Sequence, residues 1–289
     1  NRTMWILSEE YRVYLMNQEV WLMRLAGKNG VWSIYKLKPY DALVEPTNSP
    51  LPEYNSTVFD EPIEKVISHK IYNANHDTFS LGELATQAFT ILETEESKGE
   101  LVLYIVAMYL EFNNVDGQLV EASGSHGPAV ITLEKGDNGG YGFVEYWTPE
   151  DGAGYLNSLR DKFPQGFDEE LWNTQKYAMV HTQACYESAI KQSGVDTNVH
   201  IKELIDIVSS SPSYSSDFMA YIKEHNSEYL ELLKYGSYTL DYCFGLFKEG
   251  GQTGLHGHIM AWTCREILGN DMDEEHFSYT TGQEWYDNY

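Results

Sequence analysis

Five of the nine prolines, Pro39, Pro46, Pro50, Pro52 and Pro62, fall within a single stretch of the chain. Proline fixes φ and supplies no backbone N–H, so this density blocks strand pairing and helix alike. Residues 39–62 are expected to be a linker that separates a short front piece from a long remainder. In the front piece, aromatic and branched residues fill Met4–Leu7, Tyr11–Met16, Val20–Leu25 and Val31–Leu37. Asn17-Gln18 and Lys28-Asn29-Gly30 punctuate them, and Asn-Gly between two such runs signals a hairpin because both residues tolerate positive φ. Residues 1–62 are therefore expected to be a small β meander followed by a Pro-rich linker.

From Ile63 the apolar spacing becomes helical: Ile63, Val66, Ile67 and Ile71 share one face, with Lys70 among them. A short second helix is expected over Leu81–Ala88. Strands then follow: Phe89–Glu93, Leu101–Phe112, Leu119–Ser123, Ala129–Leu133 and Tyr141–Trp147. Leu101–Phe112 is apolar on both faces and is compatible with a buried helix. Its Tyr and Val content, and the flanking turns at Gly99 and Asp116-Gly117, favour a central strand. The loop from Lys135 to Gly140 should close a hairpin, and Pro149-Glu150-Asp151-Gly152 should end the sheet. Residues 63–166 are expected to form an α+β unit, a curved antiparallel sheet around a helix in a cystatin-like or nuclear-transport-factor-like arrangement.

Residues 167–289 are expected to be helical. Leu171, Ala178, Cys185 and Ala189 form a seam that Gly194 can close with a left-handed cap. Ile201, Leu204, Ile205 and Val208 form a second stripe, stopped by Ser209–Ser211 and Pro212. Further helices are expected from Phe218, broken at His225-Asn226-Ser227, then after Gly236 and after Gly250-Gly251. The acidic, aromatic end from Asn270 is expected to fray. The fold class is thus α+β in three units.

Charge narrows the function classes. With 44 Asp+Glu against 19 Lys+Arg, the net charge is -25. Nucleic acid needs a basic footprint and anionic lipid repels an acidic surface, so neither is an expected partner. At 42% hydrophobic residues the chain still has the material for a core. It carries no apolar run of about 18 residues that could cross a membrane and no signal peptide, and the start at Asn1 suggests a processed product. Cys185, Cys243 and Cys264 are too few for a disulfide scaffold, their odd number leaves at least one thiol unpaired, and no Cys/His set has zinc spacing.

Motifs for catalysis are sparse. HExxH, GxSxG, a P-loop and GxGxxG are absent. Ser33-Ile34-Tyr35-Lys36 and Ser188-Ala189-Ile190-Lys191 match SxxK, but the serine of an acylase opens a helix. Ser33 falls in an expected strand and Ser188 near the end of an expected helix. His256-Gly257-His258 has two imidazoles without a third ligand, so a solvated or packed pair is expected rather than a metal site. The Gly-rich run Gly250–Gly257 precedes a helix and could bind an anion, but close helix–helix packing suits an acidic chain better. The acidic run Asp271-Met272-Asp273-Glu274-Glu275 lacks the spacing of an EF-hand loop. The most site-like cluster is Tyr104, Tyr109, Tyr141, Glu145, Tyr146 and Trp147, which could line a ligand or peptide groove or simply form the core.

Several of these segments carry a resemblance. Leu101 to Tyr109, Ser123-Gly124-Ser125, Pro128 to Leu133, Glu145 to Gly152, Phe163-Pro164, Glu231 to Leu240 and Gly250 to Met260 together look like part of a known region. They resemble the extracytoplasmic C-terminal region of clostridial membrane metallopeptidases of the BlaR/MecR sensor-transducer kind. In such proteins a membrane-embedded zinc peptidase with HExxH precedes the region. The resemblance implies an extracytoplasmic, membrane-tethered sensor or interaction domain, without catalytic residues or cofactor in this chain. Its partner would be a cell-wall fragment, a peptide or its own membrane domain. A serine acylase or penicillin-recognising enzyme, and a structural docking ectodomain, are the alternatives.

Overall fold

The computed structural model describes residues 3–8, 11–16, 19–26, 31–36, 63–79, 82–136, 141–167, 173–212, 215, 217–269 and 279–289. The expected Pro-rich linker, the turns at 17–18 and 28–30, the loop tip at 137–140, Leu171 and the acidic run at 271–275 lie outside these residues. The architecture is α+β. Two compact units divide the chain, residues 43–195 and residues 1–42 with 196–289.

The front strands are β1 (Thr3–Ser8), β2 (Tyr11–Met16), β3 (Glu19–Ala26) and β4 (Val31–Lys36), paired antiparallel in sequence order. They coincide with the four aromatic and branched runs of the sequence.

The unit of residues 43–195 begins with α1 (Ile63–Phe79) and continues as the meander β5 (Leu84–Ser97), β6 (Glu100–Val115), β7 (Gln118–Lys135) and β8 (Tyr141–Trp147). Two-residue turns join the long strands. Lys98-Gly99 (φ 52°, 87°) and Asp116-Gly117 (φ 52°, 85°) both hold positive φ at two successive positions, as the twist of a tight hairpin demands. Where a short helix is expected over Leu81–Ala88, residues 84–88 are instead the start of β5. Its residues pair with Phe112 to Met108 of β6, and that pairing overrides the helical preference of Leu-Ala-Thr-Gln-Ala. Leu119–Ser123 and Ala129–Leu133 are not separate strands but one strand, β7.

β6 is the middle of the sheet and is buried on both faces. Leu101, Leu103, Ile105, Ala107 and Tyr109 pack with Val66, Ile67 and Ile71 of α1. Tyr104 and Val106 face the other way, onto Leu159 and Phe163 at α2 (Tyr155–Lys162). A further helix, α3 (Ala178–Ser193), lies on that second face against β5 and β6. The unit is thus three layers: α1, the sheet, and α2 with α3. The expected domain boundary after residue 166 falls inside it, because Cys185, Tyr186 and Ala189 of α3 are buried with the sheet. α3 ends as expected at Gly194 in the left-handed region (φ 69°), whose N–H donates to the Ile190 carbonyl.

The other unit carries α4 (Asn198–Val208), α5 (Phe218–Glu224), α6 (Asn226–Lys234), α7 (Ser237–Glu249), α8 (Leu255–Ile267) and α9 (Gly282–Asn288). The stripe Ile201, Leu204, Ile205 and Val208 is buried, as its spacing requires. α8 is the hub, packing against α4, α5, α6, α7 and α9. Of the stretch from Asn270 expected to fray, the described part, residues 279–289, carries α9. Thr281 caps it by accepting from the Glu284 N–H (3.0 Å), and the Glu284 carboxylate accepts from the Thr280 N–H (2.8 Å). Trp285 is buried, and Tyr286 stacks on Phe247 at 5.1 Å between ring centroids.

Within the Gly-rich run, Gly257 serves close packing, whereas Gly250, Gly251 and Gly254 have open space around the Cβ position. A Cβ on Gly257 would strike the Gln252 carbonyl, and one on Gly282 would strike the Gly257 carbonyl. Gly245, in the interior of α7, has open space around the same position. Gly282→Ala should therefore lower stability by about 2 kcal/mol or more through overpacking. Gly245→Ala should raise it by about 0.5–1 kcal/mol by removing backbone entropy from the unfolded chain. Urea unfolding of the two variants beside the parent checks both signs.

Candidate functional site

The six residues expected to line one groove are divided by the sheet. Tyr109, Tyr141 and Tyr146 pack on the α1 face. Tyr104 and Trp147 pack on the α2 face. Tyr104 donates to Glu95 (3.1 Å) and lies 5.2 Å from the Phe163 ring. Burial, reinforced by the Glu95 carboxylate, pushes its hydroxyl up to about 12. Burial likewise pushes Tyr146 up to about 12, against the opposing pull of its hydrogen bond with Asn75. Glu145 is exposed and pairs with Lys162 at 2.6 Å, and the Lys162 ammonium sits 5.7 Å from the Trp147 ring centre. A bulge between Thr132 and Leu133, opposite Phe143 and Glu145, sets Glu145 and Trp147 on the α2 face while Tyr146 stays on the α1 face.

The SxxK serines occupy ordinary positions. Ser33 lies in β4, paired with Arg24. Ser188 is buried near the end of α3 and accepts from Gln192 at 3.2 Å. His256 and His258 fall in the first turn of α8; His258 stacks on Phe218 at 5.8 Å, and His256 lies 3.9 Å from Asp206. Among the described residues, no group of three His, Cys, Asp or Glu side chains is placed to hold a metal ion.

Two polar clusters that the sequence motifs did not single out flank β6. On the α1 face, Glu111 is fully buried. Its carboxylate accepts from the Tyr109 hydroxyl (2.7 Å), the Ser123 hydroxyl (2.7 Å) and the Gly82 N–H (3.0 Å). His76 of α1 approaches with Nδ1 at 3.1 Å from the Tyr109 oxygen and 3.7 Å from Glu111, and Tyr72 stacks on its ring. A nearby bond from Ser125 to Asn75 (2.7 Å) ties β7 to the same helix. The network pins the C-terminal half of α1 and the start of β5 to the centre of the sheet. A carboxylate in an apolar strand needs such donors, and the lone acid in Leu101–Phe112 was its sequence signal.

On the opposite face, His181 of α3 is buried between two strands. Its Nε2 lies 2.8 Å from the Thr90 hydroxyl and its Nδ1 3.3 Å from His126 Nε2. Tyr177 stacks above it at 5.9 Å. A neutral ring satisfies the chain in either direction, one nitrogen donating and the other accepting. Burial, with the neighbouring His126 adding to it, lowers His181 to about 3, and burial also lowers His126. His181 follows Ala178 by three and precedes Cys185 by four, so the buried seam of α3 was its signal.

His126 also borders an opening. β8 pairs with β7 only from Val130 to Lys135. Among the described strands, the outer edge of β7 before Val130 is unpaired. Beside it lies an open cavity of about 380 Å³, lined by the consecutive residues Glu121 to His126 with Met108 and Leu110. α3 touches this end through Tyr186, whose hydroxyl donates to Glu121 (2.9 Å), and through His181. The cavity therefore runs beside an edge that no described strand pairs with, and thioether, leucine, imidazole and carboxylate side chains line it. Pro128, just beyond, has no N–H to offer a partner strand.

No family model, curated protein or solved structure matches the chain.

Replacing Glu111 by Leu should strand the Tyr109, Ser123 and Gly82 donors and cost about 3 kcal/mol or more in urea unfolding. Acid should weaken the same unit through its histidines. His181 titrates near 3 and His69 near 4 in the fold, both held down chiefly by burial. In the unfolded chain each takes a proton near pH 6.5. Below that pH the unfolded state binds protons that the folded state refuses, so stability falls with falling pH. Each such histidine contributes up to about 1.4 kcal/mol per pH unit. Between pH 7 and 5.5, the unfolding midpoint of His181→Gln should fall less steeply than that of the parent.

Proposed function

We propose that this chain is a non-catalytic recognition module that binds an extended, basic segment of a partner protein along the open edge of β7. The observation that carries the reading is the cavity running beside Glu121 to His126 where β8 stops short. A strand edge offers alternate N–H and C=O groups to a peptide backbone, and an adjoining pocket selects a side chain. Met108 and Leu110 suit an apolar or long aliphatic side chain. Net charge selects the partner: at -25 the chain attracts a cationic segment and repels a second copy of itself.

The sequence resemblance to the extracytoplasmic region of sensor-transducer metallopeptidases supports the same class. In that setting the module would sit outside the membrane, tethered by a segment outside this chain, and report a peptide signal. Among the described residues, no helix is long and apolar enough to cross a membrane.

Selection from a displayed random-peptide library tests the reading. Enriched peptides should be basic, should bind more weakly as ionic strength rises, and should slow amide exchange across residues 120–127. Ala122→Trp, which fills the cavity, should weaken them about tenfold or more while leaving the melting temperature close to the parent's. Protection mapped elsewhere, unchanged binding by the Trp variant, or concentration-dependent self-association at the same edge would overturn the proposal.

A further inference from the structure

Two histidines from different elements meet beside the cavity. His126 of β7 lines it, and His181 of α3 stands against His126, buried. His181 Nδ1 lies 3.3 Å from His126 Nε2, with the ring centroids 5.4 Å apart and the planes inclined at 68°. The other nitrogen of His181, Nε2, lies 2.8 Å from the Thr90 hydroxyl of β5. All three residues belong to the unit of residues 43–195.

We infer that His126 and His181 form a binding site for a divalent transition-metal ion of the Zn2+ type. Two nitrogens that share a tetrahedral zinc at about 2.0–2.1 Å stand about 3.3 Å from one another. That is the separation of these two nitrogens. Imidazole suits Zn2+, whereas Ca2+ and Mg2+ take oxygen ligands. Thr90 supplies the outer contact that a ligating histidine needs: its hydroxyl accepts from His181 Nε2–H and leaves Nδ1 with its lone pair toward His126.

The chemistry is ligand exchange. His126 holds its proton on Nδ1 in the bound form, so Nε2 also offers a lone pair. Two waters leave the hydrated ion and the two nitrogens take their places. No electron is transferred, and the His126 proton only changes nitrogen. Burial lowers both imidazoles, so protons compete little for them at neutral pH. The open side, where His126 lines the cavity, admits water to the remaining positions, and Glu121 adds a carboxylate to the same cavity. Two protein ligands, instead of the four of a structural zinc, place the dissociation constant at about 1–100 μM.

The test is a calorimetric titration of the chelator-treated full chain with Zn2+, with excess Mg2+ present so that the acidic surface already carries a hard cation. One Zn2+ per chain should bind in that range. His126→Ala, at the cavity, should weaken binding about tenfold or more, whereas His256→Ala in the other unit should leave it unchanged. In the parent, the side-chain nitrogen resonances of His126 and His181 should be the histidine signals that move with Zn2+, a readout that does not depend on how a variant folds. No binding above the Mg2+ background, equal affinity in His126→Ala, or shifts confined to other histidines would each overturn the inference. No peptide is present in the titration, so its outcome is separate from that of the library selection.

Discussion

The two-sided burial of β6 is the constraint on which the unit of residues 43–195 depends. A strand buried on both faces cannot be satisfied by one helix. α1 covers Leu103, Ile105 and Tyr109, and the opposite face recruits α2 and, beyond it, α3. Recruitment of α3 explains why the unit runs to Val195 instead of stopping where the sheet ends. The same burial makes Glu111 costly, and the fold meets that cost with three donors drawn from β6, β7 and Gly82, two residues before β5.

Asymmetry in the sheet creates the candidate site. β7 spans 18 residues but β8 only 7, so β8 covers the C-terminal part of β7 alone. Gly124, Gly127 and Pro128 mark the stretch where pairing lapses, and each is a poor participant in a central strand. α3 lies over β5 and β6 more than over β7, reaching the open stretch mainly through Tyr186 and His181. His181 thereby links the helix to the wall of the cavity, and its neutral form is the one the buried setting favours.

Periodicity carried much of the fold. The four front strands, α1, the helices from α4 to α8 and the Gly194 cap all followed from apolar spacing and from breakers such as Ser209 and Gly236. The start of β5 did not, because a short sequence with alanine and leucine takes its conformation from its neighbour in the sheet. The aromatic groove failed for a related reason. Sequence proximity puts Tyr146 beside Trp147, but successive strand residues point to opposite faces, and a bulge decides which face each takes. Single polar residues on apolar seams, Glu111 and His181, were visible as exceptions to a pattern. Their partners were not, since those come from other elements at separations no periodicity encodes.

Charge and edge now bear on the same question. An open strand edge invites pairing with any other edge, including that of an identical chain. Proteins suppress this with prolines, bulges and charge, and β7 shows two of these devices directly, Pro128 and the bulge at Ala122, opposite Glu111 and Phe112 of β6. The net charge of -25 supplies the third at the level of the whole molecule. Two identical chains meeting edge to edge would bring like charges together, whereas a basic segment would gain from the same field. In the proposed role, the excess of acidic residues would act as a specificity device, disfavouring self-pairing and favouring a partner of opposite charge.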